Sequence, residues 1–362
     1  MGKSIRYMTA GESHGPCLTV IVDGLPAGLP LTEEMIREDL SRRQIALGAG
    51  GRMAIENDSA SITSGVLAGV TTGAPISLVI SNQNHEAWKG KAVRALTTPR
   101  PGHADFSAVV KYGYNDIRPA LERASARETA SRVAAGACCR AFLSSFGISV
   151  KGRVVKIGGI ECNANLTNVE DVIAKARAEG DTLGGVIEVV AEGLPVGLGS
   201  FMQADLRLDA RIAGAMMSIQ AMKGVEFGDG FSLADITGTE AMDGIASVNG
   251  DRLTNRLGGL EAGMTNGMPL VVRVAMKPIP TTIKTQKTVD LATGIASETV
   301  YERSDICPVP RAVVVVESVL CAVLADALSE KLGGDSIDEM VSRFKALPTT
   351  HRLDSLPKVF WP

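Results

Sequence analysis

An eleven-residue segment of the chain recurs with six of its positions identical. Gly65-Val66-Leu67-Ala68-Gly69-Val70-Thr71-Thr72-Gly73-Ala74-Pro75 aligns without gaps on Gly259-Leu260-Glu261-Ala262-Gly263-Met264-Thr265-Asn266-Gly267-Met268-Pro269, sharing Gly, Ala, Gly, Thr, Gly and Pro in order. Each copy runs directly into an apolar, β-branched stretch, Ile76 to Ile80 and Leu270 to Val274, that predicts a strand. Two copies are too few for a solenoid, whose repeats stack on neighbours to bury their faces. The repeat predicts a single domain over residues 1–362, built from two related halves, with a ligand site where the halves meet.

The rest of the chain predicts both element types. An alanine- and arginine-rich run from Leu121 to Phe146, stopped by Gly147, predicts one long helix. Thr167-Asn168-Val169-Glu170 reads as a capping box opening a helix toward Gly180. Further helices are expected from Thr32 to Arg43, from Asp209 to Met222 and from Arg311 to Leu332, the last two ending at Gly224 and Gly333. Strands are expected at Leu18 to Val22, Val186 to Val190 and Leu270 to Met276. Strands and helices do not alternate strictly, which favours an α+β sandwich of antiparallel sheets and helices over a doubly wound parallel sheet.

Composition excludes several partners. A formal charge of -3 supplies no basic field for nucleic acid or an anionic membrane, so any anion site must be local. With 362 residues, 45% of them hydrophobic, the core needs no disulfide framework, and the six cysteines (Cys17, Cys138, Cys139, Cys162, Cys307, Cys321) show no Cys-x-x-Cys spacing. Reduced thiols in the cytoplasm are expected. No apolar leader precedes Ser4-Ile5-Arg6-Tyr7, and the run Ala312 to Leu328 carries Glu317 and Asp326, which predicts a buried helix rather than a membrane span.

Histidine carries the first chemical signal. Of four, His14 in Gly11-Glu12-Ser13-His14-Gly15 and His103 in Arg100-Pro101-Gly102-His103-Ala104-Asp105 sit in glycine-broken segments beside charge, which suits acid–base chemistry and equally suits loop histidines bonded to carboxylates. His85 and His351 fall in polar stretches and are expected at exposed loop positions. The first string also spells the Gly-x-Ser-x-Gly elbow of serine hydrolases, with a Ser13, Asp305, His351 relay as that alternative. A strand-like run follows it where the elbow requires a helix. The histidines and cysteines do not cluster as metal ligands.

The cations are grouped. Arg118, Arg123, Arg127 and Arg132 bracket the start of the long helix, with Arg123 and Arg127 four residues apart; Arg42, Arg43 and Arg52 flank the glycine-rich run Gly48-Ala49-Gly50-Gly51. Singly these suit surface arginines paired with Glu122, Glu128 or Asp39; as a set of guanidinium forks they suit a small, multiply anionic substrate. Lys277-Pro278-Ile279-Pro280-Thr281 offers a rigid lysine and hydroxyl at a strand exit, suited to a cofactor phosphate or to a plain surface turn. Asp305 lies between Arg303 and Arg311, either salt-bridged at the start of the last helix or aimed into the site.

Taken together, Gly11-Glu12-Ser13-His14-Gly15, Arg100 to Asp105, Arg123-Ala124-Ser125-Ala126-Arg127-Glu128-Thr129, Lys277 to Thr281 and Arg303-Ser304-Asp305 resemble the chorismate synthase family, in order across nearly the whole chain. The resemblance implies a pseudo-symmetric β-α-β sandwich of antiparallel sheets flanked by helices, a homotetramer, and reduced FMN as cofactor. It implies loss of phosphate and a ring proton from 5-enolpyruvylshikimate 3-phosphate by 1,4-anti elimination, without net redox change. By matching position, His14 would protonate the departing phosphate, His103 would serve the reduced flavin, Asp305 would act on the proton at flavin N5, and Ser13 and Ser125 would support the proton network. The flavin would fall to Arg123, Ala124, Ser125, Gln220, Ala221, Ala262, Lys277, Pro278, Ile279, Pro280, Thr281 and Arg303, and the substrate anions to Arg43, Arg127 and Arg132. Relatives commonly carry an arginine where this chain has Ala49, and Arg52 is the nearest substitute. No Gly-x-Gly-x-x-Gly fingerprint occurs between a strand and a helix, so external reduction of the flavin is expected rather than an NAD(P)H-dependent activity of its own. A non-catalytic flavin-binding protein is the alternative of another class.

Overall fold

A computed structural model describes residues 4–44, 58–83, 85–300, 305–350 and 353. The β-branched runs form two antiparallel sheets. The first holds β1 (Arg6–Ala10), β2 (Cys17–Asp23), β3 (Ala60–Ser64) and β6 (Ile76–Ser81) in the order β1-β2-β6-β3; between β3 and β6 lies a small hairpin of β4 (Val66–Leu67) and β5 (Val70–Thr71). The second holds β7 (Ser149–Ile157), β8 (Ile160–Glu161), β9 (Gly185–Glu192), β10 (Met222–Phe227) and β13 (Leu270–Met276) in the order β10-β13-β9-β7-β8. A matching hairpin of β11 (Leu260–Glu261) and β12 (Met264–Thr265) precedes β13. Read from its other edge, and setting β8 aside, the second sheet repeats the first.

The two copies of the repeated segment are these hairpins. Ala68 and Gly69 turn the first at φ 50° and 79°, and Ala262 and Gly263 turn the second at φ 49° and 80°. Each is fastened by a threonine. The Thr71 hydroxyl donates to the Pro26 carbonyl and accepts from the Leu29 amide, while Thr265 does the same with Pro195 and Leu198. These anchors expose a second repeated string, Gly24-Leu25-Pro26-Ala27-Gly28-Leu29 against Gly193-Leu194-Pro195-Val196-Gly197-Leu198.

The helices run in chain order as α1 (Glu33–Gln44), α2 (His85–Trp88), α3 (Asp105–Tyr112), α4 (Arg118–Ala124), α5 (Thr129–Ser144), α6 (Glu170–Ala178), α7 (Leu208–Met217), α8 (Gly238–Ala241), α9 (Val309–Leu332) and α10 (Ile337–Lys345). Two long helices, α5 and α9, fill the space between the sheets. α5 packs on β1, β2 and β6, α9 packs on β7 and β9, and the two helices pack on each other. The result is the expected α+β, β-α-β sandwich, with Leu18, Val20 and Leu78 of one sheet and Ile187, Val189 and Val272 of the other facing Val133, Phe142, Val316 and Leu320. α9 is apolar and long enough to cross a membrane, but most of it is buried inside the protein. Its two buried carboxylates are used there: Glu317 pairs with Arg42 and Arg140, and Asp326 takes the Ser4 and Ile5 amides and Arg211.

Three expected helices differ. The run from Leu121 is broken at Ser125, whose backbone is extended (ψ 145°) and whose hydroxyl caps the next turn by accepting from the Arg127 amide; alanine-rich composition reads through that cap. The Thr167 box does not close, because the Thr167 amide and hydroxyl are both taken by the Asn163 side chain and α6 starts at Glu170. α7 ends at Met217 rather than Met222, since Met222 pairs with Met276 as the first residue of β10.

Gly136 brings α5 against α9. A Cβ added there would lie 2.3 Å from the Ser318 Cβ, so Gly136→Ala is expected to destabilise by about 1–3 kcal/mol through overpacking, despite alanine's better helix propensity. Gly214→Ala in α7 meets nothing within 4 Å and is expected to raise stability by up to about 1 kcal/mol. Thermal unfolding of both variants checks the opposite signs.

Candidate active site

The β1–β2 connection, the start of α5, the exit of β13 and the first turns of α9 converge on one cavity of about 850 Å³. Gly11, at φ 109°, makes the first connection possible: a Cβ there would fall 2.5 Å from the Cys17 carbonyl oxygen. The turn joins strand to strand, so the helix that a hydrolase elbow needs is missing. Ser13 is buried and accepts a 3.2 Å bond from the Ser125 hydroxyl. His351 of the hydrolase alternative lies outside the described residues.

Both loop histidines are held by carboxylates. His14 Nδ1 lies 2.7 Å from Glu122 Oε1, and the His14 amide donates to Glu122 Oε2 at 2.7 Å. Burial opposes ionisation of Glu122, but these bonds outweigh it and hold the carboxyl below its ordinary range. The His14 ring also rests 4.7 Å from the Trp88 ring, and its carbonyl oxygen is met by His85 Nδ1 at 3.1 Å. His85 is therefore a bonded residue of α2 and not the exposed loop residue expected. His103 Nδ1 bonds Asp105, which is 1% exposed and also receives the Arg100 amide and guanidinium. Here too burial is outweighed, by His103 and then Arg100, and Asp105 sits well below the ordinary carboxylate range. Fixing Nδ1 on a carboxylate leaves Nε2 of each imidazole as the working nitrogen.

The arginines divide. Arg43 and Arg127 are buried at the cavity floor, both bonded to Asp58, at 3.3 and 2.6 Å; Arg43 also donates to Thr129 and the Ala126 carbonyl. Arg123 reaches Thr9, and Arg132 bonds Glu128 and Ser218, so neither lines the cavity. Arg100, Lys223 and Arg311, absent from the expected binding set, do line it. Asp305 lines it as well and pairs with Arg311 at the start of α9.

The remaining wall is apolar with a polar seam. Leu121, Met217, Ile219, Met222, Met276 and Pro280 line it beside Ala124, Gln220, Ala221, Lys277, Ile279 and Thr281. Lys277, Ile279 and Thr281 are fixed by neighbours: the Lys277 amide donates to the Ala221 carbonyl, Thr182 to the Ile279 carbonyl, and Arg100 to the Thr281 hydroxyl. Burial, and then the charge of Lys223, lowers the Lys277 pKa. Pro278 is not among the lining residues. Ala262 is placed elsewhere, beside a separate depression with Arg207, Asp243 and Glu261, because its positive φ serves the hairpin tip rather than a ligand at this cavity. Arg303, Ala49 and Arg52 lie outside the described residues. No group of three or more metal-binding side chains occurs among the described residues.

Asp105 gives a pH test. Its pKa is depressed by folding, so the stability it contributes is present above the ordinary value of 3.8 and is lost as pH falls through the lower folded value. Asp105→Asn should melt below the unmodified protein at neutral pH, and the two melting curves should converge as the medium becomes more acidic than that ordinary value. A gap that stays constant with pH would remove this role.

Residues 5–329 match the family model described as chorismate synthase. The chorismate synthase of Syntrophotalea carbinolica is 48% identical over 94% of this chain and 97% of its own length. That of Caldanaerobacter subterraneus subsp. tengcongensis is 49% identical over 93% of this chain and 96% of its own. A solved structure, "Crystal Structure of Chorismate Synthase", superposes with a TM-score of 0.78 at 42% identity, covering 96% of this chain and 98% of that one. With the match running from the start of β1 into α9, the chain belongs to the chorismate synthase family.

Proposed function

We propose that this cavity carries out the reaction for which the family is named, as a carbon–oxygen lyase acting on phosphate: 5-enolpyruvylshikimate 3-phosphate loses phosphate and a ring proton in a 1,4-anti elimination and becomes chorismate. The observation that carries the reading is the meeting of two carboxylate-held histidines with a buried pair of arginines and an apolar wall in one cavity. The arginine forks of Arg43 and Arg127 suit the substrate's anions. His14 donates its Nε2 proton to the departing phosphate, and Glu122 keeps the ring turned to do so. His103 holds a proton near the cofactor, with Asp105 fixing its tautomer. Ser13 and Ser125 join the proton network, and Asp305, braced by Arg311, moves a proton at the cofactor's N5.

Reduced FMN (FMNH2) is the cofactor in this reading, and the donor set fits it. Gln220 Oε1 is buried without a hydrogen-bond partner among the described residues, which suits a ring N–H, and the methionine and isoleucine wall suits a flat aromatic face. Lys277, Thr281 and Lys223 suit its phosphate. Bound in reduced form, FMN supplies electron density to the carbon that phosphate leaves and recovers it afterwards, so that no net oxidation occurs. The chain acts as one domain of two related halves, a reading supported by the matched hairpins and sheet orders. We place the enzyme in the cytoplasm as a homotetramer, without nucleic-acid or membrane partners and with its flavin reduced externally.

Anaerobic assay with photoreduced FMN tests the function. Chorismate should form only with reduced flavin and without stoichiometric consumption of reductant; equal turnover with oxidised flavin would sink the reading. His14→Ala and His103→Ala should each lower turnover by about 10²-fold or more in a folded protein, the scale for losing a positioned acid or base. Asp305→Asn should lower the single-turnover rate while leaving substrate and FMN affinities nearly unchanged, whereas a purely structural pair with Arg311 would show as a lower melting temperature.

A further inference from the structure

Asn82, directly after β6, is buried beside the catalytic cavity, and its side chain satisfies three partners at once. Its Nδ2 donates to the carbonyls of Glu12 at 3.1 Å and Gly15 at 2.8 Å, on either side of His14. Its Oδ1 accepts from Arg127 Nε at 2.8 Å. The arrangement fixes the amide's orientation, since a guanidinium only donates and carbonyls only accept. The backbone joins in: the Asn82 amide donates to the Pro16 carbonyl, and the Asn82 carbonyl accepts from the His85 amide, whose ring in turn meets the His14 carbonyl. One small side chain thus spans the acid's loop and the anion-binding arginine. We propose that Asn82 is a positioning residue for the elimination, tying the loop that carries His14 to Arg127 so that proton donor and anion fork keep one register.

This inference rests on the roles proposed for His14 and Arg127, and the test separates the two. Full-length His14→Ala, Asn82→Ala and the double variant are compared under anaerobic single-turnover conditions with reduced FMN, with melting temperature as the check on folding and inorganic phosphate binding measured by calorimetry. Asn82→Ala is expected to lower the rate by about 10-fold or more, and to cost less than about 3-fold when His14 is already alanine, because the tie acts through that residue. Phosphate affinity should fall in both backgrounds, as the Arg127 Nε loses its Asn82 acceptor and the fork is held by Asp58 without it. Asn82→Asp keeps the shape and the acceptor but has no amide hydrogens for the two carbonyls; it stands in if the alanine variant does not fold, and the same non-additive loss of rate is expected. Losses that multiply fully in the double variant, or a normal rate in a folded Asn82 variant, would overturn the tie while leaving His14 as the acid. A normal rate in His14→Ala would remove the acid assignment and the tie with it.

Discussion

The approach of α5 to α9 sets the dimensions of everything else. Gly136 and Ser318 let the two backbones come closer than any side chain at residue 136 would allow, and the helices form the middle of a three-layer sandwich. Arg127 and Thr129 at the start of α5 and Pro308, Arg311 and Ala312 at the start of α9 all line the cavity. Helix N-termini favour anions through their unpaired amides and the macrodipole, so the same crossing that closes the core also delivers positive potential to the site.

Electrostatically the site is built from the inside. The protein as a whole is acidic, yet the cavity floor holds Arg43 and Arg127 with Asp58 beneath them. Burying guanidinium groups without a counter-charge is costly, and Asp58, bonded to both arginines, meets that cost in part. The histidines follow the same plan at lower charge, each with a carboxylate on Nδ1, half-buried at Glu122 and buried at Asp105. Local pairing thus reconciles a negative total charge with an anion-receiving pocket.

Much of the scaffold was legible in the sequence because its signals are local. The repeated glycine segment marked two equivalent hairpins, and β-branched runs bounded by glycine or proline marked β2, β6, β9 and β13. His14, His103, Lys277 and Asp305 stood out because each lies in a short string with glycine, proline or charge around it. Their partners did not. Asp58 and Asn82 carry no local signature and acquire meaning only when the fold sets them against Arg127, 69 and 45 residues away in sequence. The break at Ser125 was hidden by the helix-forming residues around it, and the positive φ of Ala262 marks a turn without saying whether a ligand stands beside it.

The repeated scaffold is not matched by repeated loops. In the first half β1 passes to β2 through residues 11–16, the tight turn that carries Ser13 and His14; in the second half the corresponding passage from β7 to β9, residues 158–184, contains β8 and α6. A strictly symmetric molecule would present two equal clefts, each with half the chemistry. Here the short loop of one half and the strand exit of the other meet on the same side. Symmetry therefore supplies the rigid frame, and its breaking in the connections gathers His14, Arg127 and the apolar wall into one asymmetric pocket whose two sides are chemically unlike.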